Sequence, residues 1–231
     1  MTNELANQHY YQFCNLANSN HDDSVCVKYV KKYSDFYDIV DHNDLTPLMW
    51  TCICRLKNTA FELINRGADI NIVSIHGSAL MQACTTVNEF IALELINRGA
   101  DINEMDKNNN TILITACNYK LSNVVIELIK RNVNLELKNN DGKTALYYAL
   151  QNGPESSAIT LIDAGAIFHD YINDKWCPRE GHFNENVTKH VRNKYKTEIM
   201  NTINTPGNPM NECFGSLDIP GLFHIMMEYL A

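Results

Sequence analysis

The chain has 231 residues, 45% hydrophobic and 20% charged, with only 10 Gly and 6 Pro, a balance that fits one or two folded domains and excludes a disordered tail or a collagen-like chain. Its net charge of −8 and pI near 5.4 argue against duplex nucleic acid as the main partner, because phosphate is held by clustered Lys and Arg. No stretch approaches the ~18 apolar residues of a membrane span, and the start, MTNELANQ, lacks the basic-then-apolar signature of a secretory signal. The expectation is a cytoplasmic or nuclear protein with no membrane partner, whose eight cysteines are reduced thiols.

In chain order, 5–17 and 24–33 read as two short helices, with Leu5, Tyr10, Phe13, Cys14 and Leu16 apolar in the first and Val25, Tyr29, Val30 and Tyr33 in the second. From Asp41 a repeat sets in. The hydroxyl residues Thr46, Ser78, Thr111 and Thr144, each followed by an apolar pair closing on Leu, stand 32, 33 and 33 residues apart. Gly67, Gly99, Asn132 and Gly165 keep the same intervals, and the phrase ELINRGADIN occurs identically at 62–71 and 94–103. The hydroxyl is placed to cap an inner helix, with Pro47 at its first position, where a missing N–H costs nothing. The Gly or Asn stands where an outer helix stops in the left-handed conformation. Outer helices carry the packing stripes Phe61-Leu63-Ile64, Leu93-Leu95-Ile96, Val125-Leu128-Ile129 and Ile159-Leu161-Ile162. After Phe168 the pattern fails: a helix is expected over 184–203, a Pro/Gly/Asn break over 205–211, and a last amphipathic helix over 218–230.

These units resemble the ankyrin repeat, whose pattern runs D-x-x-G-x-T-P-L-H-x-A, a second helix, then G-A-D-x-N. The matching residues are Asp41, Thr46, Pro47, Leu48, Gly67, Ala68, Asp69 and Asn71 in the first unit, and Gly77, Leu80, Ala83, Gly99, Ala100, Asp101 and Asn103 in the second. The third and fourth supply Asp106, Thr111, Leu113 and Ala116, then Gly142, Thr144, Leu146, Ala149, Gly165 and Ala166. The family's His is replaced by Met49, Met81, Ile114 and Tyr147, and the third unit ends Asn132-Val133-Asn134-Leu135-Glu136, so its tip is expected to be less regular. The resemblance, which includes the ankyrin proteins of giant DNA viruses and AT-rich genomes, implies an all-α solenoid of helix–turn–helix units with β-hairpin-like tips. The expected division is an N-terminal helical cap or degenerate repeat at 1–40, repeats at 41–73, 74–105, 106–138 and 139–168, and a helical extension at 169–231.

No reaction motif is present: the chain has no G-x-S-x-G, no Walker loop and no H-E-x-x-H, so neither a catalytic centre nor a cofactor is expected. Cys52, Cys84 and Cys117 occupy one equivalent place on successive inner helices. Helices pack ~8–10 Å apart, too far for a disulfide or shared metal, so all three read as packing residues. Cys177 and His182, with His169, His190 and Cys213, lack the paired spacing of a zinc site, and no metal is expected. Lys189, Arg192, Lys194 and Lys196 share their helix with Glu185 and Glu198 and read as a solvated face.

The resemblance implies a protein-binding scaffold or adaptor, a monomer acting in the host cytoplasm if viral, with a concave surface of tips and inner-helix faces. Carried over by position, that surface is His42, Asn43, Leu45, Ile53 and Cys54; Ile75, His76, Thr85 and Thr86; Lys107, Asn108, Asn110, Asn118 and Tyr119; and Asn140, Asp141, Lys143, Gln151 and Asn152. Leu45, Ile53, Ile75 and Tyr119 are the expected apolar anchors. Asn71 and Asn103 match the hairpin Asn that asparaginyl hydroxylase modifies in ankyrin proteins. Residues 217–230 resemble the start of an F-box, which implies an alternative role as substrate receptor of a cullin-type ubiquitin ligase, against the plainer reading of a terminal cap.

Overall fold

The computed structural model describes residues 2–20 and 22–167, together with 186, 187, 189, 190, 193, 194 and 197. Over the first two stretches the chain forms ten helices and one two-stranded ribbon. Residues 1–181 and 182–231 are separate compact units, and the seven described residues of the second unit are helical.

The first helix is longer than the sequence suggests: α1 spans Thr2–Asn20, and α2 spans Asp23–Lys32. Tyr10, Phe13 and Ala17 of α1 and Cys26 and Val30 of α2 are buried. Four helix pairs follow. Inner helices are α3 (Pro47–Cys54), α5 (Ala79–Thr85), α7 (Ile112–Asn118) and α9 (Ala145–Gln151). Outer helices are α4 (Lys57–Asn65), α6 (Glu89–Asn97), α8 (Ser122–Lys130) and α10 (Glu155–Asp163). Inner packs on inner and outer on outer along the stack, and α1 and α2 join it by packing on α3 and α4.

Every inner helix starts as its sequence dictates. The hydroxyls of Thr46, Ser78, Thr111 and Thr144 accept from the N–H groups of Met49, Met81, Ile114 and Tyr147 at 3.2, 3.3, 3.1 and 3.4 Å. Outer helices end in a left-handed residue, at φ 89°, 88°, 56° and 99° for Gly67, Gly99, Asn132 and Gly165. The following N–H closes back on the helix from Ala68, Ala100 and Ala166 at 3.0, 2.9 and 3.0 Å, but from Val133 only at 3.5 Å. The third closure is thus longer, where Asn replaces Gly, but the expected irregular tip is not found: the Glu136 N–H donates to Asn134 Oδ1 at 2.9 Å, as the N–H groups of Asn71 and Asn103 do to Asp69 and Asp101.

The 32-residue interval arises in the second tip. Asp41, Asp106 and Asn139 each accept two tip N–H groups through one side-chain oxygen. The second tip instead has Ser74, whose hydroxyl accepts from the His76 N–H and donates to the Gly77 carbonyl. The chain there is one residue shorter and pairs as β1 (Val73–Ser74) with β2 (Gly77–Ser78). Gly77 is therefore not the turn glycine of the aligned pattern; it lies within a ribbon, at φ 92°.

The phrase ELINR has a second use besides packing. Glu62, Glu94 and Glu127 pair with Arg66, Arg98 and Arg131 one turn on, and Arg98 and Arg131 also donate back to Asn65 and Asn97 of the preceding unit. The inner-to-outer turns hold left-handed residues that are not glycine, Arg55, Val87 and Lys120, at φ 60°, 59° and 64°. A Cβ in this conformation costs ~1–2 kcal/mol, most for a β-branched side chain, and Val87 is about half exposed. Val87→Gly is expected to raise stability by about 0.5–1 kcal/mol after the extra entropy of glycine. Gly99→Ala, with no atom crowding the new Cβ, should lower it by about 1 kcal/mol. Paired urea midpoints read both, and shifts of the same sign would count against the assignment.

Candidate functional site

The concave strip is built from the tips and the exposed ends of the inner helices. Three of its four expected anchors face solvent: Ile53, Ile75 and Tyr119 are 36%, 65% and 39% exposed. Leu45 is a correction, because it is only 7% exposed. The hydroxyl of Tyr10 donates to its carbonyl at 2.7 Å, and its N–H donates to Asp41 Oδ1 at 2.9 Å. The Trp50 indole N–H in turn donates to the Tyr10 hydroxyl at 2.9 Å. Leu45 is thus part of the seam between α1 and the first tip and has no free face for a partner.

The polar half of the strip is occupied largely by its own bonds. Asn139 Nδ2 donates to Asn110 Oδ1 and to the Tyr148 hydroxyl, both at 2.9 Å. Asn152 Nδ2 donates to Asn118 Oδ1 at 3.0 Å. The Asn140 N–H donates to the Asn108 carbonyl at 2.9 Å, and Asn109 Nδ2 to Asn140 Oδ1 at 2.7 Å. Lys143 Nζ lies 4.2 Å above the Tyr147 ring. Thr85 and Thr86 donate to the Gln82 carbonyl, and Thr86 also reaches Cys52 of the preceding unit. The Asn139–Asn110, Asn152–Asn118, Asn109–Asn140, Asn140–Asn108 and Thr86–Cys52 bonds staple one unit to the next, so the amide-rich stretch is a preorganised wall, while His76, Lys107 and Gln151 are exposed on it. His76 is positioned through its backbone, whose carbonyl accepts from Gln82 Nε2 at 2.6 Å.

Asn71 and Asn103 are both exposed hairpin residues. Their N–H groups donate to Asp69 and Asp101, each at 2.9 Å. Asn71 Oδ1 also accepts from the Asp101 N–H at 3.0 Å, whereas the carboxamide of Asn103 has no such bond among the described residues.

The aligned cysteines are buried. Cys52, Cys84 and Cys117 have no exposure and are free thiols, and burial pushes Cys84 and Cys117 up to about 12 and Cys52 up as well. An unfolded thiol ionises near pH 8.5, so above that pH the unfolded chain releases protons the folded chain keeps, and stability falls as pH rises. The urea midpoint is expected to drop between pH 8 and 9.5, below the tyrosine range. The drop should shrink in Cys84→Ala/Cys117→Ala; an equal slope in that variant would assign it elsewhere.

Among the described residues, no group of three His, Cys, Asp or Glu side chains is placed to hold a metal ion. Cys177, His182, His169 and Cys213, the expected helix over 218–230 and the F-box-like residues 217–230 lie outside the described residues, as do Arg192 and Lys196. No helix among the described residues is long and apolar enough to cross a membrane.

Sequence reasoning missed an exposed row on the tips. Val40, Val73 and Met105 are 42%, 60% and 43% exposed, and Lys138 follows them at the same place. Reading the columns at the repeat interval would have found it, because three apolar residues there precede a lysine.

A sequence profile of ankyrin repeats, three copies, matches residues 80–171. The chain is also 43% identical over 61 residues to the poly(ADP-ribose) polymerase tankyrase of Caenorhabditis elegans, a match covering 26% of this chain and 3% of that protein. The likeness is therefore to a small part of a much longer relative.

Proposed function

We propose that the chain, whose residues 80–171 match a profile of ankyrin repeats, is a monomeric binding scaffold or adaptor of the cytoplasm or nucleus, whose partner protein docks on the concave strip. Ankyrin repeats are non-catalytic protein-binding modules. What supports the strip is the contrast along it: Ile53, Ile75 and Tyr119 are exposed apolar side chains beside a polar stretch in which Asn139 bonds Asn110 and Asn152 bonds Asn118. Binding energy concentrates in a few apolar or aromatic anchors surrounded by neutral contacts, so these three carry the affinity and the wall sets the shape. Affinity capture with wild type beside Ile75→Asp/Tyr119→Ala tests this. The variant should keep its fold and lose its specific prey by tenfold or more, and identical prey lists would sink the reading.

The alternative, a ubiquitin-ligase substrate receptor, rests on the sequence at 217–230 alone. Deleting 218–231 separates the two: a folded truncation that loses a cullin partner supports recruitment, and unfolding supports a cap. Asn103 is the better candidate for hydroxylation because its carboxamide is not tied to the next unit as that of Asn71 is. One added oxygen on the peptide carrying Asn103, and not on that carrying Asn71, is the expected mass-spectrometric result.

A further inference from the structure

We propose that the row Val40, Val73 and Met105, ended by Lys138, docks an extended peptide in polyproline II conformation. That peptide carries an apolar side chain at every third residue and a carboxylate three residues beyond the last. The proposal rests on the reading of the stack as a protein-binding scaffold and adds a second row of contact residues on the same tips that carry Ile75 and Lys107 of the strip.

One set of bonds, before three of the four residues, and another, after all four, fix them at one place on successive tips. Two residues before them stand Asp38, Asn71 and Glu136, whose side chains accept from the N–H groups of Asp69, Asp101 and Ile167 in the following unit at 2.8, 3.0 and 2.8 Å. One residue after them stand Asp41, Ser74, Asp106 and Asn139, the side chains that organise each tip. Between these anchors the row residues point to solvent, and the three apolar ones are all more than 40% exposed. Singly, an exposed Val or Met needs no explanation. Three in register form an exposed apolar row, and Lys138, in no ion pair among the described residues, ends it.

The spacing selects the occupant. Successive helices in a stack lie ~8–10 Å apart, so a bound chain must present the same face at that interval. A β-strand turns its side chains to opposite faces at each residue, so positions three apart face opposite ways. An α-helix advances only ~4.5 Å in three residues. Polyproline II has three residues per turn at 3.1 Å each, returning to one face every ~9 Å with its backbone polar groups still in water. The lysine, one step beyond Met105, calls for a carboxylate at the fourth contact.

The probe is a labelled decapeptide, Leu-Pro-Ala-Leu-Pro-Ala-Leu-Pro-Ala-Asp, together with its reversed sequence, titrated by fluorescence anisotropy against the full chain. One of the two orders is expected to bind at least tenfold more tightly than a peptide of equal composition with Leu at alternate residues. Val73→Lys and Met105→Lys should each weaken it tenfold or more with unchanged urea midpoints. Lys138→Glu should weaken it and prefer the same peptide ended in Lys. Ile53→Asp should leave it untouched. Absence of binding in both orders, equal affinity for the alternating peptide, or indifference to Val73→Lys in a folded variant overturns the proposal. A failed peptide alongside prey lost from Ile75→Asp/Tyr119→Ala removes the tip row and leaves the concave strip. Row-dependent peptide binding with unchanged prey does the reverse.

Discussion

Leu95→Ala is expected to cost about 3 kcal/mol and to change the shape of unfolding as well as its midpoint. Leu95 sits on α6 in the middle of the stack, has no exposure, and its carbonyl also accepts the closing N–H of Ala100 at 2.9 Å. Truncating a fully buried Leu removes its transfer energy and leaves a cavity, together ~2–5 kcal/mol. In a repeat stack each unit touches only its neighbours, so stability is roughly a sum of unit and interface terms. The outer helix α6 packs between α4 and α8, and a weakened centre uncouples the two ends. Urea unfolding followed by circular dichroism should show a lower midpoint and a smaller m-value, because the ends then unfold separately. Leu161→Ala, the same change on α10 at the last described unit, should lower the midpoint with the m-value nearly intact. A loss below about 1 kcal/mol for Leu95→Ala, or identical m-values for the two variants, would show that the stack does not couple in this way.

What could be read from the sequence were the features written in one residue type. A hydroxyl before an apolar run announced all four inner-helix caps, and Gly67, Gly99 and Gly165 announced the outer turns, because few residues meet those demands. The inner-to-outer turns were hidden, since Arg55, Val87 and Lys120 hold a conformation their identities argue against. Leu45 misled for another reason. Position alone put it on the binding strip, where the equivalent Lys143 is half-buried, but the first unit is the one covered by α1, and Tyr10 closes over it. The amides of Asn110 and Asn118 looked available because their partners, Asn139 and Asn152, lie about thirty residues further on. The misses at Leu45, Asn110 and Asn118 come from contacts between units, which a pattern read one unit at a time does not contain.

The same blindness hides the second large effect, at Asp23. The sequence marks this residue only as an acid in the first turn of α2, whose own cap is Asp22. In the fold its carboxylate accepts from the N–H groups of Asn58 and Thr59 at 2.7 and 2.8 Å and from the Thr59 hydroxyl at 2.5 Å. It therefore caps α4, a helix with no capping side chain of its own. Glu89 serves α8 likewise, accepting from the N–H and side chain of Asn123. Lys57, at the same place in the unit between, has no acceptor and instead lies 4.1 Å above the Phe90 ring. Losing a cap costs ~1 kcal/mol, and leaving a hydrogen-bonding group stranded costs ~1–3 kcal/mol. Thr59 is fully buried, so Asp23→Ala is expected to destabilise the protein by about 2 kcal/mol. Asp22→Ala, which removes the formal cap of an exposed helix start, should cost less, and Asp23→Asn should fall between, since one amide oxygen can still accept. Denaturant midpoints for the three variants decide it: if Asp22→Ala proves the more damaging, the carboxylate of Asp23 is an ordinary first-turn acid and the two helices are not joined through it.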